Sequence, residues 1–171
     1  MVREEVHRIP VSKIPQSVTE CFHSALNLWQ CGEYVREKGE LHIAVGLWIL
    51  GLQELGKYVL LKEAAANSDS KGVLEIPVSR FRSHSIKSEK GLALFKSWGI
   101  DLGAVGIPLT EKTRLGLWYV DWSDETQEFK RDFSPLDPSP IPRVESLGEL
   151  VRRGIVKMQE LERTLREPLR G

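Results

Sequence analysis

Nearly every residue of GLWILGLQELGKYVL, residues 46–60, is apolar, the exceptions being Gln53, Glu54 and Lys57. Apolar side chains cover most of the helical circumference across residues 40–67, which predicts one long helix at the centre of the fold. An acid and a base one turn apart are unusual in such a helix. The pair is therefore either a narrow solvated strip of a buried helix or part of a functional site.

The rest of the chain predicts an all-α bundle around this core helix. Apolar residues recur at helical spacing over residues 16–38, 79–98, 109–120 and 144–165, giving about five helices in total. Residues 1–15 contain two prolines and are expected to be an irregular lead-in to a single domain over residues 16–171. Residues 67–77 read as a polar turn followed by a short extended piece. SPLDPSPIP, residues 134–142, carries four prolines, so it forms a proline-rich connection before the last helix.

Composition excludes several classes of protein. The 171 residues include 24 basic and 24 acidic side chains, so no global field attracts nucleic acid and any anion site must be a local cluster. Two cysteines make no disulfide framework. The start lacks the pattern of a signal peptide, and the longest uncharged apolar run, residues 43–52, is shorter than the roughly 20 residues that cross a bilayer. We expect a cytoplasmic protein without a membrane segment.

The core helix carries a polar stripe. At 100° per residue, His42, Gln53 and Lys57 share a narrow arc, and Glu54 lies at its edge. Three glycines interrupt the same helix, and each costs roughly 1 kcal/mol relative to alanine; they are Gly46, Gly51 and Gly56. Their presence predicts that another backbone or a ligand comes close to this helix.

A second polar cluster lies in RFRSHSIK, residues 80–87. On a continuous helix Arg80, His84 and Lys87 would share one face, and Arg82 lies between them in sequence. Cations near a helix N-terminus oppose the helix dipole unless an anion binds there. Flanking cations would also favour neutral His84, the form that acts as a general base. The alternative is an ordinary solvated basic face.

Several short motifs together resemble one known family. ELGK carries Glu54 and Lys57, HSIK carries His84 and Lys87, and RLGLWYVDW covers residues 114–122. In this order and spacing they resemble the AbiV-type abortive-infection family of the HEPN superfamily, over about residues 17–135. The resemblance implies a small all-α protein of antiviral defence that shuts down the infected cell by blocking translation.

The resemblance also implies a chemistry, from which this sequence departs. Many HEPN relatives are metal-independent ribonucleases that act as dimers, with an arginine followed four to six residues later by a histidine late in the bundle. The predicted last helix contains Arg143, Arg152 and Arg153 but no histidine. Cleavage would therefore require a relocated site.

We expect that site to form where the second and third predicted helices face each other. Glu54 and Lys57 would then lie across a groove from His84, with His84 acting on a ribose 2′-hydroxyl and Glu54 orienting its neighbours. Phosphate oxygens would be held by basic residues, namely Arg80, Arg82 and Lys87 together with Lys57. Tyr119 and Asp121 are candidate supporting residues, through base stacking and ion pairing respectively.

The expected partners are RNA or a nucleotide, a phage-encoded activator protein and a second copy of the chain, with no membrane, metal or cofactor. Two alternatives stay open at this level. The same groove could bind RNA, a nucleotide or an acidic protein segment without cutting anything. Glu54 could instead form a buried ion pair with Arg80 or Lys87 that only fixes helix register.

Overall fold

The structure is a computed structural model that describes residues 5–66, 72–118, 121–123, 128–130 and 140–166. Within these residues the chain is predominantly helical, and the elements follow one another in a simple order. They are β1 (Val6–Pro10), α1 (Ile14–Glu37), α2 (Leu41–Ala66), β2 (Val73–Pro77), α3 (Val78–Arg82), α4 (His84–Ser97), α5 (Glu111–Trp118), β3 (Asp121–Ser123), β4 (Glu128–Lys130) and α6 (Pro140–Arg166). Short 3-10 turns cover Val11–Lys13 and Leu102–Val105. The predicted all-α class is confirmed.

Helix α2 is the core helix, as the sequence predicts. It packs along α1 through two tryptophan–glycine contacts: a Cβ on Gly51 would lie 2.2 Å from the Trp29 ring, and one on Gly32 would lie 2.4 Å from the Trp48 ring. The Trp29 Nε1 also donates a 3.0 Å hydrogen bond to the carbonyl of Trp48. Glycine at these positions lets two indoles fill the space between the helices at close packing.

The other side of α2 packs against α4 with the main chains almost in contact. A Cβ on Gly56 would lie 1.9 Å from the Lys87 carbonyl oxygen, and one on Gly91 would lie 2.4 Å from the Leu52 carbonyl oxygen. Because 56 meets 87 and 52 meets 91, the two helices run antiparallel. The expectation that another backbone or a ligand approaches these glycines is met at Gly56 by the main chain of α4, whereas at Gly51 the nearest group is the Trp29 side chain.

Two local expectations need correction. The segment 1–15 is not irregular throughout, since β1 pairs antiparallel with β2 and a short 3-10 turn leads into α1 at Ile14. The predicted helix over residues 79–98 is broken at Ser83, whose ψ of 115° is extended. There the Ser83 hydroxyl accepts from the amide of Ile86 and caps α4. Arg80 therefore does not share a continuous helical face with His84 and Lys87.

Helix α6 closes the bundle against α1. Its buried apolar residues are Val144, Leu147, Val151 and Met158. At its edge Glu33 of α1 accepts hydrogen bonds from Arg36 at 3.2 Å and from Arg152 at 2.8 Å, and Arg36 also binds Glu145. Of the predicted proline-rich connection over residues 134–142, residues 134–139 lie outside the described residues. Pro140 and Pro142 were predicted to precede the last helix, but they lie in the first turn of α6, which begins at Pro140.

Among the described residues, α2 is the one helix whose length and hydropathy would suffice to cross a membrane. In the structure 67% of the most apolar 18-residue stretch of α2 is buried inside the protein. Its apolar surface is therefore covered by α1, α4 and α5, as expected of the core helix of a folded bundle.

Candidate functional site

A chain of hydrogen bonds joins three helices at the polar stripe of α2. The Gln53 amide nitrogen donates to Glu111 Oε2 at 3.1 Å, and the Gln53 Oε1 lies 3.0 Å from His84 Nδ1. Arg114, one turn after Glu111 on α5, donates to the same carboxylate through Nε at 3.0 Å and also through its terminal nitrogen. α2, α4 and α5 each contribute to one polar cluster.

This chain fixes how His84 carries its proton. A carboxylate only accepts hydrogen bonds, so Gln53 must present its NH₂ to Glu111 and its oxygen to His84. The oxygen in turn requires His84 Nδ1 to be the donor, which leaves Nε2 as the acceptor in the neutral ring. The Arg114 hydrogen bonds, the largest influence, hold the pKa of Glu111 below its usual value despite burial, so the carboxylate stays ionised near neutral pH.

Glu54 and Lys57 form an ion pair beside this chain. The Lys57 Nζ donates to Glu54 Oε1 at 2.5 Å, and about a quarter of each side chain is exposed. Cys21 of α1 is close enough to be affected: burial, followed by the Glu54 charge, raises the pKa of its thiol to about 11. The pair thus lies at the α1 side of α2, half-buried rather than in open solvent.

Lys87 is the least expected member of the cluster. Its residue is only 6% exposed, and its ammonium makes no hydrogen bond or ion pair with any residue that the structure describes. Burial and then the charge of Lys57 lower the pKa of Lys87, while Glu54 and Glu111 act in the opposite direction. The sequence predicted Lys87 as a phosphate-binding residue, with an ordinary solvated face as the alternative, and an exposure of 6% does not fit that alternative.

One cation of the cluster has no acidic partner among the described residues. Glu54 is paired with Lys57 and Glu111 with Arg114, so the Lys87 ammonium is the charge without an acid of its own among the described residues. A buried charge that lacks a partner is costly unless a ligand supplies one. The cluster is therefore suited to an anion. Phosphate is a biological anion whose oxygens lysine commonly binds.

The structure brings together most of the residues that the sequence singled out. His84 contacts Gln53, which lies one turn before Lys57 on α2, and Lys57 lies close enough to Lys87 to lower its pKa. Lys57 and His84 therefore lie on the same side of the molecule.

Arg80 and Arg82 are exposed on α3, before the break at Ser83. Asp121 begins β3 and pairs in register with Lys130, while Tyr119 lies outside the described residues.

Sequence reasoning missed Glu111 and Arg114. Both lie on a short helix that is far from Gln53 and His84 in sequence, and a single acid–base pair at i,i+3 spacing is common on surface helices. Gln53 was noted only as part of the polar stripe. Its burial, at 3% exposed, is the structural fact that turns it into a connector between His84 and Glu111.

The described residues contain no group of three or more histidine, cysteine, aspartate or glutamate side chains placed to hold a metal ion. Glu54 and Glu111 are the acids of the cluster, and each is already bonded to a cation.

A comparison with known protein families finds a match for this chain. The family model HEPN_AbiV, described as AbiV, matches residues 13–136, well over half of the chain. The matched range includes α1 to α5 and therefore every residue of the polar cluster. No curated protein and no solved structure matches the chain.

Proposed function

Since the chain belongs to the AbiV family of HEPN proteins, we propose that it is an abortive-infection protein of phage defence that acts on RNA at the cluster of Lys57, His84 and Lys87. Abortive infection halts the infected cell, and binding or cutting RNA is a direct way to stop translation. The cluster supplies what a phosphodiester needs, namely the positive charges of Lys57 and Lys87 and a histidine whose Nε2 is bonded to no residue that the structure describes.

The observation that carries the proposal is the Lys87 ammonium. The residue is only 6% exposed, its ammonium is bonded to no described residue, and the charge of a second ammonium, that of Lys57, contributes to lowering its pKa. A phosphate between the two lysines would replace this repulsion by two attractions and would supply the missing hydrogen-bond acceptors. Arg80 and Arg82, exposed on α3, would extend the positive surface along the RNA backbone.

The geometry of His84 supports cleavage in addition to binding. With Nδ1 occupied by Gln53, the Nε2 lone pair can accept the proton of a ribose 2′-hydroxyl. The 2′ oxygen then attacks the adjacent phosphorus, and the bond from phosphorus to the 5′ oxygen breaks. Lys57 donates a proton to that leaving oxygen, and the imidazolium returns its proton to the lysine through solvent. The products are a 2′,3′-cyclic phosphate and a 5′-hydroxyl, while Lys87 stabilises the charge on phosphorus.

RNA binding without cleavage is the second candidate. It is favoured by the absence, in the sequence of α6, of any histidine that could complete the arginine–histidine motif of HEPN ribonucleases. In this case Lys57 and Lys87 bind the backbone, Glu54 orients Lys57, and translation stops because the RNA is occupied. A cytoplasmic location, a homodimer and a phage-encoded activator protein are further predictions that accompany both candidates.

Incubation of the purified protein with end-labelled single-stranded RNA, with and without a chelator, tests the proposal. We expect binding that weakens steeply with salt, and cleavage that His84→Ala abolishes while binding persists. His23→Ala is the matched control, because His23 lies on α1 and bonds to Glu162 of α6 outside the cluster. Binding that is unchanged in the double variant Lys57→Ala, Lys87→Met would contradict the proposal.

A further inference from the structure

We propose that the cavity between α4 and the start of α5 is a subsite for one unpaired nucleobase of the RNA. The cavity has a volume of about 360 Å³ and is lined by Ser85, Ser88, Leu92, Leu109 and Glu111, among others. The inference rests on the proposed function, because it assigns a place to the base that neighbours the bound phosphate.

The cavity and the polar cluster share one residue. Glu111 lines the cavity and also accepts the hydrogen bond from Gln53, whose other end holds His84. A base in the cavity would therefore contact the hydrogen-bond chain that holds His84, although His84, Lys57 and Lys87 do not themselves line the cavity. In a single-stranded RNA the base and the adjacent phosphate are separated by one ribose, so one nucleotide can occupy both places.

A buried hydroxyl in the cavity wall gives the second, independent observation. Ser88 is 5% exposed, and its Oγ is buried with no hydrogen-bond partner among the residues that the structure describes. Leaving a buried hydroxyl unsatisfied costs about 1–3 kcal/mol, so such groups usually have a partner. The edge of a nucleobase carries both donors and acceptors and could supply that partner once the serine side chain rotates its Oγ toward the cavity, since the Oγ has almost no accessible surface in the structure.

The remaining residues that line the cavity are of types that commonly contact nucleobases. Leu92 and Leu109 give the cavity an apolar surface on which the face of a planar ring can pack, and Ser85 adds a hydroxyl at its edge. The volume is near the low end for small-molecule sites, which suits a single base and excludes a duplex. RNA recognition commonly takes this form, in which one base leaves the stack and enters a pocket.

The test compares two labelled five-nucleotide RNAs by fluorescence anisotropy, one complete and one with an abasic ribose at its centre. We expect the complete strand to bind wild-type protein about tenfold more tightly, a difference within the range of base-stacking contributions. Leu92→Trp, which fills the cavity, should bring the complete strand to the affinity of the abasic one. Ala93→Trp, on an exposed position of the same helix, should leave the difference intact.

Ser88→Ala provides a second test that does not depend on accommodating a large ring. It should keep the fold, because it removes an unsatisfied buried hydroxyl, and should weaken binding of the complete strand severalfold with no effect on the abasic strand. Equal affinity of wild-type protein for both strands would overturn the base subsite while the proposed RNA function stands. Failure of the protein to bind either strand would overturn both.

Discussion

Gly56 of α2 and Lys87 of α4 meet through their main chains, so closely that a Cβ on Gly56 would lie 1.9 Å from the Lys87 carbonyl oxygen. This contact brings the two helices together next to Lys57, whose charge contributes to lowering the pKa of Lys87. A glycine that weakens α2 as an isolated helix is what permits the charged cluster to form. The same contact gives the most direct test of the packing.

Gly56→Ala should destabilise the protein by about 2 kcal/mol. Alanine favours a helix by up to about 1 kcal/mol, but the added methyl group would overlap a carbonyl oxygen held within α4, and relief requires the helices to separate. Urea unfolding followed by circular dichroism measures the change. Gly103→Ala is the control, since its new methyl group meets only the Asp101 side chain at 3.3 Å, and it should change stability by less than about 1 kcal/mol. Equal stability of the two variants would contradict the packing.

Lys87→Met should keep or raise stability while it weakens RNA binding. Methionine fills similar space without a charge, so the desolvation cost of the buried ammonium disappears together with the anion site. We expect at least a tenfold loss of RNA affinity and no decrease in the free energy of unfolding. Lys96→Met, exposed near the end of the same helix, should alter neither quantity by a comparable amount. A variant that unfolds would show instead that Lys87 serves the fold.

The stability difference between wild type and Lys87→Met should also depend on pH. Because the pKa of Lys87 is lower in the folded protein than its ordinary value of 10.5, the unfolded chain binds more protons in the interval between the two pKa values. Wild-type stability therefore rises relative to the variant as pH rises through that interval toward 10.5. Urea titrations of both proteins at pH 7 and pH 10 measure the difference, and no change in it would contradict the burial of a charged Lys87.

The sequence alone was sufficient to predict the core helix and to suggest the pairing of Glu54 with Lys57, because both depend on local spacing. A helix apolar on most of its surface has few alternatives to the centre of a bundle. The break at Ser83 was missed because Arg80, His84 and Lys87 fit a continuous helix equally well, and a serine that caps α4 looks like any other polar residue in that pattern. Glu111 was missed because its role depends on contacts across 58 residues of sequence to Gln53.

The two cysteines of α1 should differ strongly in reactivity. Burial and the nearby Glu54 carboxylate raise the pKa of Cys21 to about 11, so at pH 8 only about one molecule in a thousand carries the reactive thiolate. Cys31 is exposed. A thiol reagent at pH 8 should therefore label Cys31 fast and Cys21 slowly. Cys31→Ser should remove the fast phase of labelling. Glu54→Gln should speed labelling of Cys21; unchanged labelling would place Glu54 away from α1.

Gln53→Leu should release His84 from its fixed tautomer. Leucine keeps most of the buried volume but removes both hydrogen bonds. The Nδ1 of His84 is then left with only the more distant Glu111 Oε2, at 3.5 Å, and part of the proton population can move to Nε2. Nitrogen NMR of the imidazole should show the Nδ1–H form in wild type and a mixture in the variant. If the protein cleaves RNA, kcat should fall at least tenfold with little change in KM, because the base is misplaced while the lysines still bind the backbone. A wild-type spectrum showing the Nε2–H form would contradict the hydrogen-bond chain in which Gln53 accepts from His84 and donates to Glu111.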